Sequence, residues 1–250
     1  MLRLPVTHRL SNPRLSLYGG TGVSAATVVA EALTGRSLTW ISVQFVGNTS
    51  PGEVLEFRAR VVAGGARTSQ VQVRATVGDR LVLTALSAHS AKECDDAEGF
   101  ATPPYMPPPD ECELFVLSVE LESESFVDTL ERRVVPFTAD SGRDGHVGMW
   151  VRVPTWPGPS SARLGYVADV VPVAVFLAGR RNPGAISLDN TVRVIDPELG
   201  DAEWMLFDIE ADGISRSTGH GRARIWSVDG RLLAVGSQSC IMRPFASDFR

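Results

Sequence analysis

An internal repeat constrains the fold of this chain more than any other feature. The runs that begin at Ser37 (SLTWISVQFVGNTSPGEVLEFRARV) and at Ile186 (ISLDNTVRVIDPELGDAEWMLFDIEA) have the same order of strand-like segments and turns. Matching 53–57 to 203–207 and 78–82 to 229–233 sets Asp189 near Trp40 and Gln238 near Ser87. Only the second copy carries a carboxylate and a carboxamide at these positions. We therefore expect two copies of one scaffold, of which one is active.

The length and composition fit two fused units. A chain of 250 residues with 44% hydrophobic content can bury a large core as one big domain or as two smaller ones. Residues 93–113 (ECDDAEGFATPPYMPPPDECE) are acidic and rich in proline, which cannot pair inside a central strand, so they form the best candidate linker. The predicted units are residues 1–92 and residues 114–250, and the second carries the predicted site.

Charge and cysteine content exclude several classes of function. The formal net charge of −5, without a cationic stripe, disfavours nucleic acid as a partner. The first ten residues, MLRLPVTHRL, lack the apolar core of a secretion signal, and the longest apolar run, Val170 to Ala178, is too short for a membrane span. The three cysteines have no metal-ligand spacing, so we predict free thiols and no metal or cofactor. We expect a soluble, cytoplasmic protein.

Each unit combines one buried helix with strands. In the first unit the pattern predicts a helix followed by four strands, at Val23–Leu33, Leu38–Phe45, Val54–Val62, Thr68–Val77 and Arg80–Ala88. In the second unit it predicts two strands at Phe126–Val135 and Val147–Val153, then a helix at Leu164–Ala178 that begins or kinks at Pro172. Four more strands follow at Ser187–Ile195, Trp204–Glu210, Gly219–Ser227 and Leu232–Met242. This order predicts an α+β fold in which a sheet curls around a helix.

Short stretches along most of the chain carry a family resemblance. They are Leu17-Tyr-Gly-Gly, Met149-Trp-Val-Arg, Ser187-Leu-Asp, Glu203-Trp-Met-Leu-Phe, Gly221-Arg-Ala-Arg and Gln238-Ser-Cys-Ile-Met-Arg. In this order they resemble the double-hotdog acyl-CoA thioesterases of the thioesterase II family. The resemblance implies an α+β double hotdog of two units, each an antiparallel β-sheet curled around a central α-helix. It also implies hydrolysis of an acyl-CoA in fatty acid metabolism, and assembly into a homo-oligomer.

The same resemblance implies three catalytic positions. The family has an Asp in the strand after the second helix, a Gln on the last strand, and a Ser or Thr after the Glu-Trp strand. Asp189 and Gln238 match the first two, whereas the third falls on or beside Asp212, and the nearest hydroxyl is that of Ser215. Either the hydroxyl of Ser215 substitutes for the family's Ser or Thr after a small shift, or Asp212 takes over a water-binding role, or the activity is altered or lost.

These residue types suit the hydrolysis of a thioester by water. Asp189 would accept the proton of an attacking water, and the amide of Gln238 would orient that water. Backbone N–H groups at a helix start, at Gly20 and Thr21 or before the second helix, would stabilise the oxyanion. Gly20 has an alternative role in close packing.

A second class of function stays open. An apolar tunnel between sheet and helix could bind an acyl or polyketide-like ligand without hydrolysis, or host a different reaction. The missing family hydroxyl favours this alternative, and the presence of Asp189 and Gln238 opposes it.

Overall fold

The computed structural model describes residues 1–91, 100–115, 124–134, 145–178, 184–199 and 204–243. Its helices are α1 Gly19–Thr34, α2 Ser160–Val167 and α3 Val171–Ala178. Its strands are β1 Leu2–Pro5, β2 Ser37–Phe45, β3 Val54–Gly64, β4 Thr68–Val77, β5 Arg80–Ser90, β6 Glu113–Leu114, β7 Glu131–Val134, β8 His146–Arg152, β9 Gly184–Ser187, β10 Asp189–Val194, β11 Trp204–Ser215, β12 Thr218–Ser227 and β13 Leu232–Arg243.

The strands of the described residues form one antiparallel sheet. Its order is β1-β3-β4-β5-β2-β10-β13-β12-β11-β8-β7-β6, and β9 pairs with β13 beside β10. The two repeats join where β2 pairs with β10, with Ser42 opposite Thr191. The alternating pattern of β4 buries one face, including Val71 and Val73, which is the arrangement that a sheet packed on helices requires. The predicted α+β class and the sheet around a helix in each unit are confirmed.

The first helix starts four residues earlier than the sequence pattern predicts. It begins at Gly19, and it ends where Gly35 adopts a left-handed conformation with φ of 64°. The N–H of Gly35 donates to the carbonyl of Glu31 at 2.8 Å, which closes the last turn. Small residues cover most of its surface, and Val23, Ala26 and Ala30 are fully buried where α1 packs on α2 and the sheet.

The second helix is interrupted, as Pro172 led us to expect. One segment ends at Val167 and the next begins at Val171, so residues 168–170 lie between two helical pieces. Pro172 occupies the first turn of α3, where its missing N–H costs no helical hydrogen bond. The interruption leaves Asp169 in a non-helical stretch between α2 and α3.

The predicted boundaries of two further elements were also wrong. The strand predicted at 126–135 is a 3-10 turn over Phe126–Thr129 followed by the short strand β7. A capping box of Ser125 and Asp128 stabilises this turn against an extended backbone. Strand β11 continues five residues past its predicted end at Glu210, because residues to Ser215 pair with β12. Asp212 and Ser215 therefore lie on a strand, not in a turn.

Part of the predicted linker packs against the outer face of the second unit. Trp150 Nε1 donates to the carbonyl of Pro107 at 2.9 Å, and Cys112 is buried with Trp150 and Trp226. The boundaries of the two units stay a prediction. None of the described helices is long and apolar enough to cross a membrane.

Candidate active site

The candidate site forms around the carboxylate of Asp169, in the break between α2 and α3. Ser187 Oγ donates to Asp169 Oδ1 at 2.9 Å, and Gln238 Nε2 donates to the same oxygen. Gln238 Nε2 also donates to Ser187 Oγ at 3.0 Å. The backbone N–H of Gly20 donates to Asp169 Oδ2 at 3.1 Å. A carboxylate, a hydroxyl, a carboxamide and a backbone amide therefore share one hydrogen-bond network.

Four elements from both repeats supply this network. Ser187 is the last residue of β9 and lies opposite Cys240, and Gln238 is buried on β13. Asp169 comes from the helix break, and Gly20 comes from the first turn of α1. Neither predicted unit could build this site alone, because Gly20 belongs to the first unit and the other three residues belong to the second.

Two glycines allow α1 to approach Asp169. A Cβ at Gly19 would lie 2.5 Å from Asp169 Oδ2, and a Cβ at Gly20 would lie 2.0 Å from the carbonyl oxygen of Tyr166. Both distances are shorter than real contacts, so a side chain at Gly19 would displace the Asp169 carboxylate, and one at Gly20 would force the backbones of α1 and Tyr166 apart. This close approach places the Gly20 N–H within hydrogen-bonding distance of the carboxylate.

Tyr18 fixes the backbone that carries Asp169. Its ring stacks on Phe126 with 3.8 Å between ring centroids, and its hydroxyl donates to the carbonyl of Tyr166 at 3.0 Å. The same hydroxyl lies 3.4 Å from the carbonyl of Asp169. Burial raises the pKa of Tyr18 well above its ordinary value, so the phenol keeps its proton and remains a donor.

The surroundings of Asp169 adjust its basicity in two directions. Burial raises the pKa of this carboxyl group, and hydrogen bonds from Gln238, Ser187 and Gly20 offset part of that rise. A carboxylate with a raised pKa is a stronger base than an exposed one, and its donors hold it in one orientation.

The amide oxygen of Gln238 has no partner in the described part of the chain. Gln238 is 3% exposed, and its Nε2 is used twice, but Oε1 accepts no hydrogen bond from these residues. A buried acceptor of this kind is normally satisfied by water or by a ligand. A water between Gln238 Oε1 and the carboxylate of Asp169 would donate to both and keep its lone pairs free.

The sequence prediction pairs Gln238 with Asp189, whereas in the structure Gln238 donates to Asp169. Asp189 Oδ1 accepts the backbone N–H of Ser239 at 2.8 Å. This contact lies where the pairing of β13 changes from Ser187 opposite Cys240 to Thr191 opposite Ser237. Within the described residues no hydrogen bond joins Asp189 to Gln238. A catalytic role for Asp189 stays a prediction, whereas its observed contact supports the backbone.

The other predicted residues lie elsewhere or make different contacts. Asp212 pairs with Arg222 at 3.2 Å on the exposed part of β11, and Ser215 lies exposed at the end of that strand, opposite Thr218. The hydroxyl of Thr21 donates to the carbonyl of Leu10 at 3.3 Å. The amide of Gly20 reaches the site but donates to Asp169. Oxyanion stabilisation by Gly20 and Thr21 stays a prediction.

Sequence reasoning did not select Asp169 or Ser187, which both belong to this network. Asp169 was the only carboxylate inside the apolar stretch from Leu164 to Ala178, three residues before Pro172. A lone acidic residue beside a helix break in an otherwise buried segment is the signal that could have identified it. Ser187 lies in the matched Ser-Leu-Asp motif, two residues before Asp189.

Comparisons with known proteins agree with this architecture. Residues 7–90 match the model of the acyl-CoA thioesterase N-terminal domain, and residues 97–242 match that of the C-terminal domain. No curated protein matches the sequence.

Solved structures share the fold over nearly the whole chain. A protein of Novosphingobium aromaticivorans, assigned to the thioesterases, has 28% identity and a TM-score of 0.81, with 93% of both chains covered. A conserved hot dog protein of unknown function from Alicyclobacillus acidocaldarius has 21% identity and a TM-score of 0.81, covering 98% of this chain and 93% of its own. An acyl-CoA thioesterase II from Mycobacterium marinum has 17% identity and a TM-score of 0.72, with 92% of both chains covered.

Proposed function

Because this chain belongs to the acyl-CoA thioesterase family and is a thioester hydrolase, we propose that it hydrolyses an acyl-CoA through a water held by Asp169, Gln238 and Ser187. The network among these three side chains is the observation that carries the proposal. The products would be a free acid and coenzyme A.

Asp169 acts as the general base in this proposal. The water oxygen attacks the thioester carbonyl carbon, and its proton passes to the Asp169 carboxylate. The tetrahedral intermediate then breaks its carbon–sulfur bond, and the departing thiolate takes the proton from Asp169. Base and acid are thus the same group, and no oxidant or metal is required. A positioned general base typically accelerates such a step by about 10²- to 10⁴-fold.

Gln238 and Ser187 position the base and the water. Gln238 Nε2 and Ser187 Oγ both donate to Asp169 Oδ1, so the carboxylate cannot rotate freely. The open Oε1 of Gln238 would accept one hydrogen of the water while Asp169 accepts the other. Both hydrogens are then engaged, and a lone pair of the water is left to face the carbonyl carbon.

A covalent route through the nearby cysteine is disfavoured. Cys240 is fully buried, and its thiol donates to the carbonyl of Gly219 at 3.7 Å. Burial raises its pKa to about 11, and the charges of Asp169 and Asp189 add to that rise. A thiol with this pKa is almost entirely protonated at neutral pH and is a poor nucleophile.

The proposal is tested by comparing the rate of coenzyme A release among three proteins: the parent, Asp169→Asn and Asp189→Asn. A thiol reagent follows the reaction with acyl-CoAs of several chain lengths. We expect Asp169→Asn to lose about 10²-fold or more in kcat. Asp189→Asn keeps an oxygen for the Ser239 N–H and is expected to stay within about threefold of the parent, because its contact is structural.

Three outcomes would contradict the proposal. Loss of activity in Asp189→Asn alone would indicate that Asp189, and not Asp169, is the general base. Equal losses in both variants would show that neither carboxylate is specific for the proton transfer. A parent that binds acyl-CoA but releases no coenzyme A above background would support a binding protein instead.

A further inference from the structure

Asn190 is a buried amide that the network around Asp169 does not include. It is 1% exposed, and neither its Oδ1 nor its Nδ2 has a hydrogen-bond partner in the described part of the chain. An amide removed from water with both ends unpaired destabilises the folded state. Such a group persists where it meets something else, and this makes Asn190 a candidate binding residue.

The position of Asn190 places it beside the site. Along β10 the buried residues are Asn190 and Val192, and along β13 they include Ala234, Gln238 and Cys240, so these side chains share the inner face. Thr191 lies opposite Ser237, and the next residue on each strand is Asn190 and Gln238. Side chains on one face of neighbouring strands are typically about 5 Å apart. Asn190 and Gln238 are therefore neighbouring positions on the inner face, just beyond the last paired residues of β10 and β13.

The fold does not require a polar residue at this position. Strands β2 and β10 pair symmetrically, with Ile41 opposite Val192 and Val43 opposite Asn190. The repeat relates Asn190 to Ile41, which is fully buried and apolar in the first unit. The same structural position thus accepts isoleucine in one half and carries an unpaired amide only in the half that holds Asp169.

We propose that Asn190 binds a hydroxyl group on the acyl chain, within a few atoms of the thioester carbonyl. The inference rests on the proposed function and specifies its substrate class as hydroxylated acyl-CoAs. A hydroxyl both donates and accepts, so it can satisfy Oδ1 or Nδ2 of Asn190 in either orientation. The neighbouring positions of Asn190 and Gln238 on the two strands place this hydroxyl close to the reacting carbon.

The test compares kcat/KM for two acyl-CoAs of equal chain length, one plain and one hydroxylated near the thioester, in the parent and in Asn190→Leu. We expect the parent to favour the hydroxylated substrate by about tenfold or more, since a site built to bind a hydroxyl discriminates against its absence. Asn190→Leu should bring the ratio close to one and should not lower the melting temperature. Asn190→Ile, which reproduces the residue of the other repeat, is the second variant if Leu does not fold.

A control on the same strand separates this effect from a general disturbance. Thr191 is half-buried and donates to Ser42 Oγ at 3.0 Å, away from the site, so Thr191→Val should keep the parent's ratio. The inference is overturned if Asn190→Leu keeps the parent's ratio, or if it lowers both rates equally, which would indicate that Asn190 holds a structural or attacking water. If the parent hydrolyses neither substrate, the proposed function fails, and equilibrium binding of the two acyl-CoAs to parent and variant decides the role of Asn190.

Discussion

The backbone N–H of Gly20 donates to Oδ2 of Asp169 at 3.1 Å, across the boundary between the two repeats. The first repeat lacks the acid and amide of its twin, but it supplies the turn of helix that holds the acid in place. The N-terminal part of the chain thus contributes a backbone donor to a network whose side chains all come from the C-terminal part. It also means that changes in the first repeat should affect the chemistry of the second.

Activity should depend on pH through Asp169. The base must be deprotonated, and burial raises its pKa, so kcat should rise with pH through a value above the ordinary carboxyl range. A pH profile of kcat for the parent measures the pKa at which this rise occurs. A rise at the ordinary carboxyl pKa would contradict the assignment of Asp169 as the base.

The same group should make the parent less stable as pH rises. A raised folded pKa means that the folded chain keeps a proton which the unfolded chain has already lost. The stabilisation is complete below the ordinary carboxyl pKa and is lost as pH rises through the raised one. Denaturant unfolding at several pH values should show this decline in the parent and not in Asp169→Asn. An equal decline in both would assign it to other groups.

Gly20→Ala should strongly reduce activity. Its Cβ would lie 2.0 Å from the Tyr166 carbonyl oxygen, so α1 must shift and its contact with Asp169 is lost. We expect kcat to fall by about 10²-fold, as misplacement of a catalytic group by 1 Å can do. Gly64→Ala is the matched control, because its Cβ would meet nothing closer than 3.7 Å. A Gly20→Ala variant as active as this control would rule out the positioning role.

Cys240→Ala should retain activity within about threefold. The buried thiol has a pKa of about 11 and takes no part in the proposed reaction, so its removal should leave kcat nearly unchanged. The free energy of unfolding should fall modestly, because alanine lacks the buried sulfur atom and leaves a small cavity in its place. Hydrolysis and denaturant unfolding measure the two effects. Complete loss of hydrolysis by a folded Cys240→Ala protein would revive a covalent mechanism.

Tyr18→Phe should lower kcat more than it raises KM. The variant keeps the ring that stacks on Phe126 and loses the hydroxyl that donates to the Tyr166 carbonyl. The backbone carrying Asp169 should then be held less firmly, and we expect a loss of about tenfold in kcat. Steady-state kinetics gives both parameters, and a change confined to KM would indicate a role in substrate binding instead.

The sequence by itself determined the repeat, the α+β class and most strand positions. Period-two alternation in segments such as Thr68–Val77 and the turn signals between them are local properties, so they survive without tertiary contacts. Gln238 was predicted from the match of residues 238–243 to the family motif, and its catalytic role stays a prediction. Pro172 predicted the interrupted helix for an equally local reason, since proline has no N–H to donate.

Only the tertiary structure decided which carboxylate joins Gln238. Asp189 lies in a matched motif and accepts a backbone N–H on β13, whereas Asp169 lies outside every matched motif, in the helix break. That choice depends on where β9, β13 and two helix ends converge, and on two glycines that let α1 approach. Convergence of distant segments is set by packing of the whole core, which no local pattern of residues records.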